Sequence, residues 1–136
     1  MDEDTTIFTR RTILIVDDDW LNRELVEGLL NIAGYAVIQA SSGKKALELL
    51  SKQLPDAVIM DVRMPDMNGY DLCIALRKNE RLYTLPVIIV SAASSVDDVV
   101  QALDAGADDF ISRDSLTQEL ATRINALLRR NRGSGI

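Results

Sequence analysis

Three aspartates stand side by side in this sequence, Asp17, Asp18 and Asp19, directly after an apolar run and with no basic residue beside them. Adjacent carboxylates repel, so their placement asks for a cation. Other groups able to do chemistry sit in matching places: Asp61 ends the apolar run AVIMD, Ser91 ends PVIIVS, and Ser112 and Arg113 close DFIS. The chain has no histidine, and its one cysteine lies elsewhere, so every candidate ligand is an oxygen. An all-oxygen set selects a hard divalent ion, Mg2+ or Mn2+, with water completing an octahedron. Such an ion also neutralises a phosphoryl group, so one carboxylate could serve as nucleophile and carry an aspartyl phosphate. The Ser91 hydroxyl and the Arg113 guanidinium suit phosphoryl oxygens.

Each of these residues taken alone has a plainer role. An aspartate at a strand end commonly caps the following helix, and Asp19 is assigned that role outright. Capping and turn formation fit Asp17 and Asp18 as well as metal binding does. Asp61 could open the turn MPDMNG, Ser91 could bond backbone, and Arg113 could be a solvated loop charge. Convergence favours the chemistry: in open α/β sheets ligands bind outside the carboxyl ends of the strands, and these residues all follow strands.

The strands themselves are read from short apolar runs at 12–16, 36–40, 57–61, 86–91 and 109–112. Several are nearly continuous Val, Ile and Leu, as expected for parallel strands buried on both faces. Segments of helical period lie between them. Leu21, Leu25 and Leu29 recur every four residues and are stopped by Gly34. Ala46, Leu47, Leu50 and Leu54 form a second stripe, ended by Pro55, and Leu72, Cys73 and Leu76 a third. Val96, Val99, Val100 and Leu103 form a fourth, ended by Gly106; Leu116, Leu120, Ile124, Leu127 and Leu128 form the last. Ser95 with Asp98, and Ser115 with Gln118, have capping-box spacing. Five βα units in succession predict an α/β fold, a parallel sheet with helices on both faces and right-handed crossovers.

Composition bounds the rest. A length of 136 residues suits one domain, and 47% hydrophobic with 26% charged residues is a globular balance. Aromatics at 4% leave an aliphatic core. A net charge of −6 argues against direct nucleic-acid binding by the domain as a whole. Cys73 has no partner for a disulfide and sits on an apolar helix face, which suits a buried structural thiol. The acidic start lacks the apolar core of a signal peptide, and no apolar run approaches membrane-spanning length, so a cytoplasmic location without membrane contact is expected. Residues 1–11 and 131–136 are expected to be a flexible lead and tail around a domain at 12–130.

The motifs ILIVDDD, AVIMDVRMPDMNG, PVIIVSA and GADDFISRD, in that order, resemble the receiver domain of two-component response regulators. The likeness spans residues 12–130, and MDVRMPDMNGYDLC is its most specific part. It implies a flavodoxin-like five-stranded sheet of order 2-1-3-4-5, in the architecture of the single-domain chemotaxis type. It implies that Asp61 accepts a phosphoryl group from a sensor histidine kinase or phosphotransfer protein. Asp17 and Asp18 would match the acidic pair that holds Mg2+, Asp18 directly and Asp17 largely through water, and the backbone carbonyl of Arg63 would be a further ligand. Ser91 matches the hydroxyl that moves toward the phosphoryl group, with small Ala92 after it. Phe110 matches the aromatic switch position. Arg63 and Ala93 match positions that tune phosphoryl loss to water. The output is a changed surface on the fourth helix, fifth strand and fifth helix, read by an effector protein or by an output domain outside this chain. Homodimerisation on activation is compatible with that. Such a domain is no general enzyme; it promotes only its own phosphorylation and dephosphorylation.

One place departs from the family. Where receiver domains carry Lys-Pro, usually with a cis peptide, this chain has Arg113-Asp114. Arginine keeps the charge but is larger, planar and suited to forked contacts, so it is expected to bridge Asp61 at rest and phosphate in the active state. Without proline a cis bond would cost about 3 kcal/mol, so a trans bond and an altered loop path are expected. The departure motivates a rival reading, a receiver-like interaction module that is not phosphorylated. A third reading, a haloacid-dehalogenase-type phosphatase, rests on Asp17 and Asp19 as D-x-D. It meets Leu21 where that family has Thr or Val, and the chain is short for a cap and a late lysine.

Overall fold

The computed structural model describes residues 10–92 and 94–134, with side chains as far as Arg130. Five strands alternate with five helices: β1 Thr12–Val16, α1 Trp20–Ile32, β2 Ala36–Ala40, α2 Gly43–Leu50, β3 Ala57–Asp61, α3 Gly69–Arg77, β4 Val87–Ser91, α4 Val96–Asp104, β5 Asp109–Ser112 and α5 Leu116–Ser134. The strands form one sheet of order β2-β1-β3-β4-β5, and every pairing is parallel. This is the flavodoxin-like order. β4 begins one residue later than its apolar run because Pro86 has no amide to donate; its carbonyl instead accepts from Val58 at 2.9 Å.

The continuous apolar strands conceal a period of two. Leu14, Val16, Val58, Met60, Val87 and Ile89 join one core with Ala46 and Leu50 of α2, Leu72, Cys73 and Leu76 of α3, and Ala102 of α4. Ile13, Ile15, Ile59, Ile88, Val90 and Ile111 join the other, beneath Val26 and Leu30 of α1 and five apolar residues of α5. Each such Ile or Leu contributes about 1.5–3 kcal/mol by leaving water, so both faces must be covered. Cys73 is fully buried, and that burial raises its thiol pKa.

Two helices turn differently from their apolar stripes. In α1 the buried residues are Val26 and Leu30, while Leu21 and Leu25 are exposed. The rotation is fixed by polar ties at the helix start, where Arg23 reaches the Asp17 carbonyl and Gln39. That turns the face of residues 23, 26 and 30 toward the sheet. In α4 only Ala102 is buried, and Val96, Val100 and Leu103 are exposed. Leu54 lies beyond α2 and is exposed too. The stripes of α3 and α5 are buried as expected.

Helix ends follow local chemistry. Asp19 caps α1, accepting from Leu21 N at 2.9 Å and Asn22 N at 3.4 Å. Gly34, at φ 98°, closes α1: its amide reaches Asn31 O at 3.0 Å and Tyr35 N reaches Leu30 O at 3.0 Å. Ser95 and Asp98 form the capping box of α4. Ser115 instead lies within a 3-10 turn, Arg113–Ser115, that leads into α5. Arg10 and Arg11, at the end of the lead, are tied down, Arg10 to the carbonyls of Gly34 and Tyr35 and Arg11 to that of Leu128. α5 continues into the segment 131–136; the rest of the lead and tail lie outside the described residues. Replacing Asp19 by Ala is expected to cost about 1 kcal/mol of stability in urea unfolding. A variant as stable as the wild type would show that α1 does not depend on this cap.

Candidate functional site at the carboxyl edge of the sheet

The turn after β1 carries Asp17, which is 5% exposed. Its amide donates to Ala40 O at 3.1 Å, and its Oδ1 accepts from Asp19 N at 2.9 Å. Burial pushes its carboxyl pKa above the ordinary range. Asp61 and Asp18 add to that rise, while the Asp19 amide and Arg113 oppose it. Asp61 ends β3 and pairs with Val90, so Ser91 lies one step beyond it on β4. Ser91 is buried and pairs with Ser112 on β5, which delivers Arg113 to the same edge.

There the chemistry gathers. Asp17, Asp18 and Asp61 bring carboxylate oxygens within 4.8 Å of one another. Arg113 Nη2 donates to Asp61 Oδ1 and lies 3.5 Å from Asp17 Oδ2. The Arg63 amide holds Asp61 Oδ2 at 3.2 Å. Asn22, Asp61, Val62, Arg63, Ser91, Ala92 and Arg113 line a cleft of about 200 Å³. A larger hollow of about 560 Å³ lies between β5 and α5. Arg123 there pairs with Asp109 and Glu119, and among the described residues the hollow gathers no cluster of carboxylates like that at the acidic edge. The donor set at the acidic edge fits a hard dication, with clustered carboxylates, no sulfur and no imidazole.

The loop after Asp61 is anchored from behind. Asp66 accepts from Gly43 N at 3.1 Å and Lys44 N at 2.7 Å, the latter bond doing most to lower its carboxyl pKa. Gly69 donates to Val62 O at 2.7 Å, and a Cβ at Gly69 would collide with the Asp61 carbonyl oxygen. Glycine there lets α3 start against the back of Asp61.

Asp17, Asp18, Asp61, Ser91 and Arg113 thus meet. Phe110 does not join them; it pairs with Ile89 and packs, partly buried, on the core of α2, α3 and α4. Ala93 lies outside the described residues. No cis peptide occurs among the described residues, so Arg113–Asp114 is trans. The side chain of Asp19 is taken up by its cap, which leaves the D-x-D of a dehalogenase-type phosphatase without its second acid. Sequence reading passed over Asn22, Arg23 and Gln39. A signal existed for Asn22: the first turn of a helix entered at Asp19 must look onto the same cleft.

The family model described as the response regulator receiver domain matches residues 13–125. The chain belongs to the response regulator receiver family. The response regulator MprA of Mycolicibacterium vanbaalenii is 42% identical over 118 residues, 87% of this chain and 50% of that protein. This receiver chain spans about half the length of the curated relatives it matches. Among solved structures, the signal receiver domain of a histidine kinase from Syntrophus aciditrophicus has a TM-score of 0.81 at 39% identity, covering 88% of this chain and 90% of that one. The receiver domain of Francisella response regulator 1452 has a TM-score of 0.83 at 30% identity, covering 90% and 99%.

Proposed function

We propose that Asp61 accepts a phosphoryl group from a phosphohistidine on a sensor histidine kinase or phosphotransfer protein, in a reaction that requires Mg2+ or Mn2+. The observation that carries this reading is the meeting of three carboxylates, Ser91 and Arg113 at one sheet edge. Asp17, Asp18 and Asp61, with the Arg63 carbonyl, would hold the ion, which supplies neutralising charge for phosphoryl oxygens. The protein's own groups do the rest. A carboxylate oxygen of Asp61 forms the new O–P bond as the donor's N–P bond breaks, and the imidazole leaves with the electron pair. Arg113 passes from the carboxylate to the phosphoryl oxygens, and the Ser91 hydroxyl donates to them. Phe110 then repacks, which biases a two-state equilibrium on the surface of α4, β5 and α5.

That surface would be read by an effector protein, by an output domain outside this chain or by a second copy. Among the described residues no helix is long and apolar enough to cross a membrane. A second reading, an unphosphorylated interaction module, draws on the ion pairs by which Arg113 already neutralises Asp61 and Asp17.

Incubation with Mg2+ and acetyl phosphate, followed by intact-mass measurement, tests the proposal. The wild type is expected to gain one phosphoryl mass that Asp61→Asn does not. No gain in the wild type favours the module, and a gain that survives Asp61→Asn refutes the assignment of Asp61.

A further inference from the structure

We infer that Arg23, held by Gln39, is a positioning residue for the metal-binding turn. The inference rests on the phosphoacceptor reading and extends it to two residues outside the cleft. Arg23 Nη1 donates to the carbonyl oxygen of Asp17 at 2.8 Å. That oxygen belongs to the peptide joining Asp17 to Asp18, so Arg23 sets the plane of the peptide and the relative aim of two carboxylates. The turn is tied as well by Asp17 N to Ala40 O, by Asp19 N to Asp17 Oδ1 and by Arg113 to Asp17 Oδ2. None of these reaches the carbonyl of the Asp17–Asp18 peptide.

Arg23 is itself clamped. Its Nε donates to Gln39 Oε1 at 2.8 Å. Gln39 stands on β2 opposite Ile15 of β1, and its amide nitrogen donates to Glu24 and Glu27. A rigid strand therefore orients the guanidinium, and the guanidinium orients the acidic turn. Mg2+ demands near-ideal octahedral geometry, whereas Ca2+ accepts flexible ligand sets. A device that fixes carboxylate directions thus favours the smaller ion.

Charge and geometry predict opposite signs, which makes the inference testable. Arg23 is a cation close to a dication site, so by Coulomb's law alone its removal should tighten Mg2+ binding. As a positioning residue its removal should weaken it. Gln39→Ala removes the clamp without changing charge. The experiment is titration calorimetry of Mg2+ and Ca2+ into the full chain, for wild type, Arg23→Ala, Arg23→Lys and Gln39→Ala. Expected are a loss of about tenfold in Mg2+ affinity for Arg23→Ala and a smaller loss, about threefold, for Gln39→Ala, as for residues that orient metal ligands. Arg23→Lys should recover part of the loss, and Mg2+ should suffer more than Ca2+. A Gln39→Ala protein with wild-type Mg2+ affinity, or equal losses for both ions, overturns the inference; should Arg23→Ala fail to fold, Gln39→Ala decides alone. A wild type that binds neither ion, with Arg113→Ala equally silent, overturns the metal reading itself.

Discussion

Replacing Arg77 by Ala is expected to lower the unfolding free energy by about 3 kcal/mol, and the melting temperature by about 10 °C. Arg77 is the last residue of α3. Its Nε donates to Gly106 O at 2.8 Å, its Nη1 to Leu85 O at 2.8 Å and Tyr83 O at 3.1 Å, and its Nη2 to Asp108 Oδ2 at 3.1 Å. One guanidinium thus joins the end of α3, the entry to β4, the glycine that closes α4 and the start of β5. Gly106 sits at φ 108°, and a Cβ there would meet Arg77 Cγ at 2.7 Å, so the two residues are fitted to each other. The ion pair with Asp108 counts for little, because the Asp108 side chain is 37% exposed. The cost comes from the Leu85 and Gly106 carbonyls, partly buried and left without their donor. Urea unfolding measures it, and amide exchange should rise most in α4, which has only Ala102 buried beneath it. A loss below about 1 kcal/mol would mean that water replaces the guanidinium at these carbonyls.

These arginine contacts mark the limit of what the sequence discloses. The strands were legible because both faces of a parallel sheet need apolar residues, which leaves unbroken runs such as TILIV and VIIVS. Asp17, Asp18, Asp61 and Ser91 were legible because strand order carries strand ends to one edge, whatever the helices do. Helix rotation was not. In α1 the stripe of Leu21, Leu25 and Leu29 lies one residue from the face actually buried, and the deciding contacts are Arg23 to a carbonyl and to a strand glutamine. A bond from a side chain to a distant backbone carbonyl leaves no periodicity, because any residue type can supply the acceptor. Arg77 and Arg23 are both of this kind. Arg113 differs, since its place directly after the last strand made its approach to Asp61 an expectation, and its second contact, to Asp17, is what the structure adds.

That second contact leads to the remaining large effect. Arg113→Ala is expected to tighten Mg2+ binding about tenfold, equivalent to about 1.4 kcal/mol. The guanidinium touches two of the three carboxylates that would hold the ion, so a dication must displace it or bind beside it. At an effective dielectric near 20, charges a few ångströms apart interact by several kcal/mol. The Arg113 side chain is 24% exposed, so screening leaves only part of that. Phosphoryl uptake should move the other way, because the cation that would meet the phosphoryl oxygens is gone. Arg113→Lys, with one point of charge in place of a fork, should fall between the two. Calorimetric Mg2+ titration and the rate of phosphoryl mass gain separate these effects. Unchanged or weaker Mg2+ binding in Arg113→Ala would show that the guanidinium does not stand in the ion's place. An inert wild type beside a metal-binding Arg113→Ala would mean instead that this arginine holds the acidic edge closed, and the interaction-module reading would prevail.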